Sequence, residues 1–133
     1  YPVFVRSGTI DDVHIPDVSL FGDTPKKERE RILEMFKVGE IPVVANVGVL
    51  TTGFDYPELD TVVMARPTMS LAMYYQIVGR CIRPHKDKEA AWFVDLCGNI
   101  NRFGEVSDLH LKDTGNGKWA VFSRGRQLTN VRF

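Results

Sequence analysis

Gln76-Ile77-Val78-Gly79-Arg80-Cys81-Ile82-Arg83 is the stretch of sequence from which the rest of the chain can be read. Gln76, Gly79, Arg80 and Arg83 stand at i, i+3, i+4 and i+7. At about 3.6 residues per turn, these four positions fall on one helical face. Tyr75, Ile77, Val78 and Ile82 occupy the other faces and can anchor the helix. Ser70 can cap that helix, which the spacing extends to about Ile82, and Pro84 follows its end. Glycine on the face lets a second surface approach closely, and guanidinium grips phosphate oxygens with a planar fork. An exposed arginine face with ordinary salt bridges has the same spacing, so both readings stand at this point.

Thr61-Val62-Val63-Met64-Ala65 precedes the helix and Ala91-Trp92-Phe93-Val94-Asp95-Leu96 follows it. Both are apolar, β-rich runs, so the unit reads strand–helix–strand. The same alternation runs upstream. Pro2 to Arg6 and Asp17 to Phe21 read as strands. Thr24-Pro25 opens a helix to about Lys37, ended by Gly39, and Ile41 to Ala45 is a further strand. Near-continuous apolar strands predict cover on both sheet faces. The expected class is α/β, a mostly parallel sheet flanked by helices. About ten residues, Ser7 to Pro16, separate the first two strands, few for a parallel crossover with a helix. The last third differs. Leu109-His110-Leu111, Asn116-Gly117 and Trp119 to Phe122 predict a hairpin, because Asn-Gly supplies positive φ angles. Gln127 to Phe133 can add a strand. The expected organisation is residues 1–99 as one domain, with a β-rich C-terminal extension over 100–133 packed on it.

Composition narrows the classes. The 133 residues are 44% apolar and 26% charged, which suits a single globular domain. Seventeen basic and seventeen acidic residues cancel, so any nucleic-acid contact must be local rather than a bulk field. Cys81 and Cys97 lack metal-ligand spacing and read as two thiols in a reducing, cytoplasmic setting. No metal site is expected. No apolar run reaches the roughly 20 residues a membrane helix needs. Tyr1-Pro2 is not a natural start, so the chain reads as a fragment.

Two more segments can hold a ligand. Val49-Leu50-Thr51-Thr52-Gly53-Phe54-Asp55-Tyr56-Pro57 combines hydroxyls suited to a phosphate or sugar backbone with Gly53, which permits close approach, and Asp55, an acceptor for ribose hydroxyls. A surface turn punctuated by Gly53 and Pro57 is the plain alternative. Gly22-Asp23-Thr24-Pro25 leads into a helix whose first N–H groups favour an anion, unless Asp23 satisfies them itself.

Taken in order, these segments resemble the second motor domain of superfamily 2 helicases. Val3-Phe4-Val5-Arg6-Ser7 resembles motif four. Gly22 through Arg29 and Phe36 resembles the helix that follows. Leu50 to Pro57 resembles motif five, and Gln76-x-x-Gly79-Arg80-x-x-Arg83 resembles motif six. The glutamine, and Gly53-Phe54-Asp55 with Pro57, look more like the DNA-translocating and restriction-enzyme branch than the DEAD-box RNA branch. The resemblance covers Tyr1 to Asn99.

The resemblance implies an ATP cleft between two RecA-like domains. The N-terminal domain of the same chain would bind most of the ATP and its Mg2+, for no P-loop and no D-E-x-H run occurs here. Arg83 would be the arginine finger, Arg80 its partner on the phosphates, and Gln76 a sensor of the γ-phosphate region. Gly53, Gly79 and Asp55 would face the nucleotide. Thr51, Thr52, Ser7, Gly22, Asp23 and Thr24 would touch a nucleic-acid backbone, DNA in preference to RNA. The isolated fragment would be inactive. Alternatives are a restriction-system motor, a RecA-like binding module that has lost ATP coupling, and an unrelated nucleotide-binding domain. Trp119, Phe122, Arg124, Arg126 and Arg132 can form an aromatic-basic surface or belong to a hairpin packed back on the sheet. His85, Lys86 and Lys88 read as a solvated loop, and His14 and His110 as ordinary.

Overall fold

The computed structural model describes residues 2–5, 19–47 and 55–129. In chain order these form β1 (Pro2–Val5), β2 (Ser19–Leu20), α1 (Lys26–Lys37), β3 (Val43–Asn46), β4 (Thr61–Met64), α2 (Leu71–Gly79), β5 (Trp92–Asp95) and α3 (Asn99–Phe103). A 3₁₀ turn then leads to β6 (His110–Gly115), β7 (Lys118–Ser123) and β8 (Arg126–Gln127).

Straight-chain residues dominate α1, and Ile32 and Phe36, four apart, are its buried stripe. Pro25 has a polyproline-like φ of −55° and ψ of 142°, so the helix starts just after it. The Thr24 hydroxyl does not cap α1. It turns back to accept from the Phe21 N–H at 2.9 Å. Gly39, at φ 86°, ends the helix as expected. Ser70 caps α2 as expected, its hydroxyl accepting from the Met73 N–H at 3.2 Å. The far end differs, for α2 stops at Gly79 rather than Ile82. Arg80 and Cys81 donate to the carbonyls three residues back, both at 3.1 Å, which tightens the last turn. Pro84 then disfavours helical dihedrals at Arg83.

Five strands make one sheet in the order β2-β3-β1-β4-β5. β2 with β3 and β4 with β5 are parallel pairs, joined through α1 and α2, which is the expected α/β arrangement. Both crossovers step the same way across the sheet, so right-handed connections put both helices on one face. Burial agrees: Val44, Val62 and Met64 share a core cluster with Phe36 of α1 and with Tyr74 and Ile77 of α2. On the other face Trp92 is 66% exposed and Val94 39%. Apolar strands predict cover on both faces, whereas the described helices supply it on one.

β1 departs from the parallel sense and runs antiparallel to both β3 and β4. Since β2 runs parallel to β3, β1 is also antiparallel in sense to β2 and ends at the end of the sheet where β2 begins.

The hairpin forms where Asn116-Gly117 predicts it, with φ of 54° and 71° at those residues. β6, β7 and β8 make a separate antiparallel sheet. Phe103 lies in the main core, and Val106 and Leu128 pack against it. Gly104 has φ 84°, and a Cβ there would collide with Ser123 Oγ of β7. Tyr74 ties these parts together. Its ring lies 5.9 Å from Phe93 and 5.2 Å from Phe103, and its hydroxyl donates to the Gly104 carbonyl at 2.8 Å. Burial, then the charges of Asp95 and Glu105, push the Tyr74 phenol above its ordinary range.

Candidate functional site

Two segments far apart in sequence meet beside the end of α2. The first is fixed by Tyr56, buried edge-on against Phe36 at 5.7 Å, with its hydroxyl donating to the Lys37 carbonyl at 3.2 Å. Leu59, fully buried, closes a turn back onto Tyr56. These anchors leave Asp55 exposed at the segment's edge. The second segment is fixed by Cys81, fully buried in the core, whose thiol burial pushes above its ordinary range. Arg80 precedes this anchor, half-buried, and Arg83 lies two residues beyond it.

Arg83 Nη1 donates to Asp55 Oδ1, an ion pair between side chains 41% and 75% exposed. It joins the guanidinium and the carboxylate singled out in the sequence. An exposed pair of this kind is worth about 0–1 kcal/mol, so either group can exchange its partner cheaply. Helical spacing does not bring Arg83 there, because α2 has ended. The turn after Gly79 does. Gln76, Gly79 and Arg80 keep their common face, since Arg80 retains helical dihedrals, φ −69° and ψ −33°. Gln76 is exposed. Among the described residues, a Cβ built on Gly79 meets nothing within 4 Å, so packing against them gives no reason for a glycine there.

Gly22 and Asp23 are exposed on the turn between β2 and α1, with Thr24 half-buried beside them. Pro25, at the N-cap of α1, offers no side-chain cap, and among the described residues Asp23 makes no bond to the first N–H groups of the helix. Ser7, Thr51, Thr52 and Gly53 lie outside the described residues. In the tail, Arg124 is tied to Asp108 at 2.8 Å and Glu105 at 3.5 Å, and Arg126 donates to the Arg102 carbonyl. Phe122 is half-buried and stacks on His110, and Trp119 is 45% exposed. Arg132 lies outside the described residues.

Sequence reasoning missed Lys88. Read as solvated, it is half-buried and donates to the carbonyls of Pro57, Leu59 and Cys81 at 2.8, 2.9 and 2.9 Å. His85 is not simply solvated either, lying 3.6 Å from Glu58 and 3.9 Å from Asp87. Nothing local marks a lysine for this, because its acceptors are backbone groups up to 31 residues away.

The model of a family described as "Helicase conserved C-terminal domain" matches residues 9–85 of the chain. The "Putative ATP-dependent helicase IRC3" of Saccharomyces cerevisiae is 38% identical over 76 residues, 57% of this chain and 11% of that protein. The "DEAD-box ATP-dependent RNA helicase 41" of Arabidopsis thaliana is 31% identical over 78 residues, 59% of this chain and 15% of that protein. The chain thus spans between a tenth and a sixth of the length of these two relatives. Among solved structures, the C-terminal domain of the DEAD-box protein Dbp5 is 28% identical, with a TM-score of 0.47 over 62% of this chain and 49% of that one.

Proposed function

This chain belongs to the family of helicase conserved C-terminal domains, and on that premise we propose that it is the C-terminal motor half of an ATP-dependent helicase or translocase. Residues 1–99 are the RecA-like half, and 100–133 are an extension packed on it. The substrate ATP and its magnesium ion bind mainly to the N-terminal RecA-like domain. This half adds groups that cross the cleft: Arg83 as arginine finger, Arg80 beside it on the phosphates, and Gln76 near the γ-phosphate. Gly53, Gly79 and Asp55 face the nucleotide.

The observation that supports this best is the Arg83–Asp55 pair, exposed on the surface and joining the motif-five and motif-six segments. Closure of the two domains exchanges Asp55 for phosphate oxygens as the partner of Arg83. Asp55 is then free to accept from ribose hydroxyls. The guanidinium stabilises charge that develops in transfer, an effect worth ~10³–10⁵ in rate. The space left open at Gly79 by the described residues suits close approach of a second surface. Thr51 and Thr52, with Ser7, Gly22, Asp23 and Thr24, contact the sugar-phosphate backbone of nucleic acid. Such contacts bear little sequence information, as a motor requires. DNA is the favoured track, on the resemblance of Gln76 and of Gly53-Phe54-Asp55 to the DNA-translocating branch.

In the full-length protein, Arg83→Ala should lower nucleic-acid-stimulated ATPase by about 10³-fold while sparing most ATP binding. Normal turnover in that variant removes the finger role. Stimulation compared between single-stranded DNA and RNA tests the track. Duplex unwinding against triplex displacement separates a helicase from a translocase.

A further inference from the structure

We propose that Lys88 is a positioning residue that clips the Asp55 segment to the turn bearing Arg80 and Arg83. The consequence for turnover rests on the finger role given above to Arg83; the clip itself does not.

An ammonium has three N–H donors and no acceptor. At Lys88 all three are used, on the carbonyls of Pro57, Leu59 and Cys81 at 2.8 to 2.9 Å. Pro57 lies two residues after Asp55. Cys81 adjoins Arg80 and lies two residues before Arg83. One half-buried cation thus joins the two segments that bear the site. Lys88 is itself held on its loop by a turn, its N–H donating to the His85 carbonyl at 3.1 Å.

Magnitudes decide which contact fixes the geometry. The Arg83–Asp55 pair is exposed and weak, and it has to break for Arg83 to reach a phosphate. Three charge-assisted bonds from one partly desolvated ammonium are stronger and do not need to break. Lys88 therefore holds the two segments in register while the arginine changes partner. A misplacement of about 1 Å at a catalytic group can cost on the order of 10²-fold in rate.

The test uses the full-length protein with four variants: Lys88→Met, which keeps the stem and loses every donor; Lys88→Gln, which keeps two at shorter reach; Arg83→Ala; and Lys88→Met with Arg83→Ala. Two readouts are needed, steady-state ATPase with saturating nucleic acid and amide hydrogen exchange over residues 55–59 and 80–84. Lys88→Met should speed exchange in those two segments and leave the other domain unchanged. It should lower kcat by about 10- to 100-fold with KM for ATP within about threefold, since only a transition-state contact is lost. Lys88→Gln should fall between it and wild type, and it serves in place of the methionine variant if that one does not fold. The double variant should match Arg83→Ala alone.

Unchanged exchange in both segments overturns the clip. Faster exchange with wild-type kcat, with a change in KM alone, or with losses that multiply in the double variant overturns the positioning role. Wild-type turnover of Arg83→Ala overturns the finger role instead, and the clip then stands or falls on exchange alone.

Discussion

Asn99 is fully buried, and its amide is saturated. The oxygen accepts from the Thr68 N–H at 2.9 Å and from Arg102 at 3.2 Å. The nitrogen donates to the Arg66 carbonyl at 3.1 Å and to Asp95 at 2.8 Å. Replacing Asn99 by leucine leaves several buried groups unpaired and should cost about 2–4 kcal/mol, read from denaturant unfolding of the domain. Asp95 sits in the same network. Burial pushes its carboxyl up, but the Ile100 N–H, the Asn99 amide and the N–H groups of Cys97 and Asn99 outweigh burial and hold it below the ordinary carboxylate range. A depressed folded pKa stabilises above the unfolded value of about 3.9, and the benefit fades as pH falls through the folded value. Asp95→Asn should therefore lose stability at neutral pH, with the gap to wild type closing as acid is added through that window. An unchanging gap in urea midpoints across pH would contradict the assignment. The sequence shows Asp95 only as a residue of the strand read from Ala91 to Leu96. It does not show the network, because Arg66 and Thr68 approach from about thirty residues away.

At the scale of elements, two glycines give opposite predictions. Gly79→Ala adds a methyl group where no described residue lies within 4 Å, at the end of α2, and alanine is the better helix former by about 0.5–1 kcal/mol. Thermal unfolding should be unchanged or slightly raised. Stimulated ATPase should fall if a second surface approaches there, and wild-type turnover would argue against that approach. Gly104→Ala is the opposite case. It combines positive φ with a collision against Ser123 and should destabilise by about 2 kcal/mol or more, lowering the melting temperature while leaving the α2 surface intact. The helices themselves were legible: Ser70 marks the start of α2, and the stripe of Ile32 and Phe36 marks α1. The end of α2 was not. Pro84 and a 3₁₀ turn cut it at Gly79, and that turn places Arg83.

For the whole molecule, the groups proposed to face a nucleotide would form half of a site. The isolated chain is expected to show no ATPase above background, with or without nucleic acid, and clear turnover by it would contradict the proposed division of labour. The described helices lie on one face of the sheet, and Trp92 and Val94 of β5 are exposed on the other.

Periodicity and turn chemistry act over a few residues, so the sequence alone determined the order of β1 to β5 with α1 and α2, the Asn116-Gly117 hairpin, the glycine stop after α1 and the common face of Gln76, Gly79 and Arg80. Meetings between distant segments depend on how the core packs. Only the tertiary structure decided the antiparallel sense of β1, the pairing of Arg83 with Asp55 and the three carbonyls gathered around Lys88. Backbone carbonyls are alike at every residue, so a lysine that binds them leaves no mark in the sequence that specifies it.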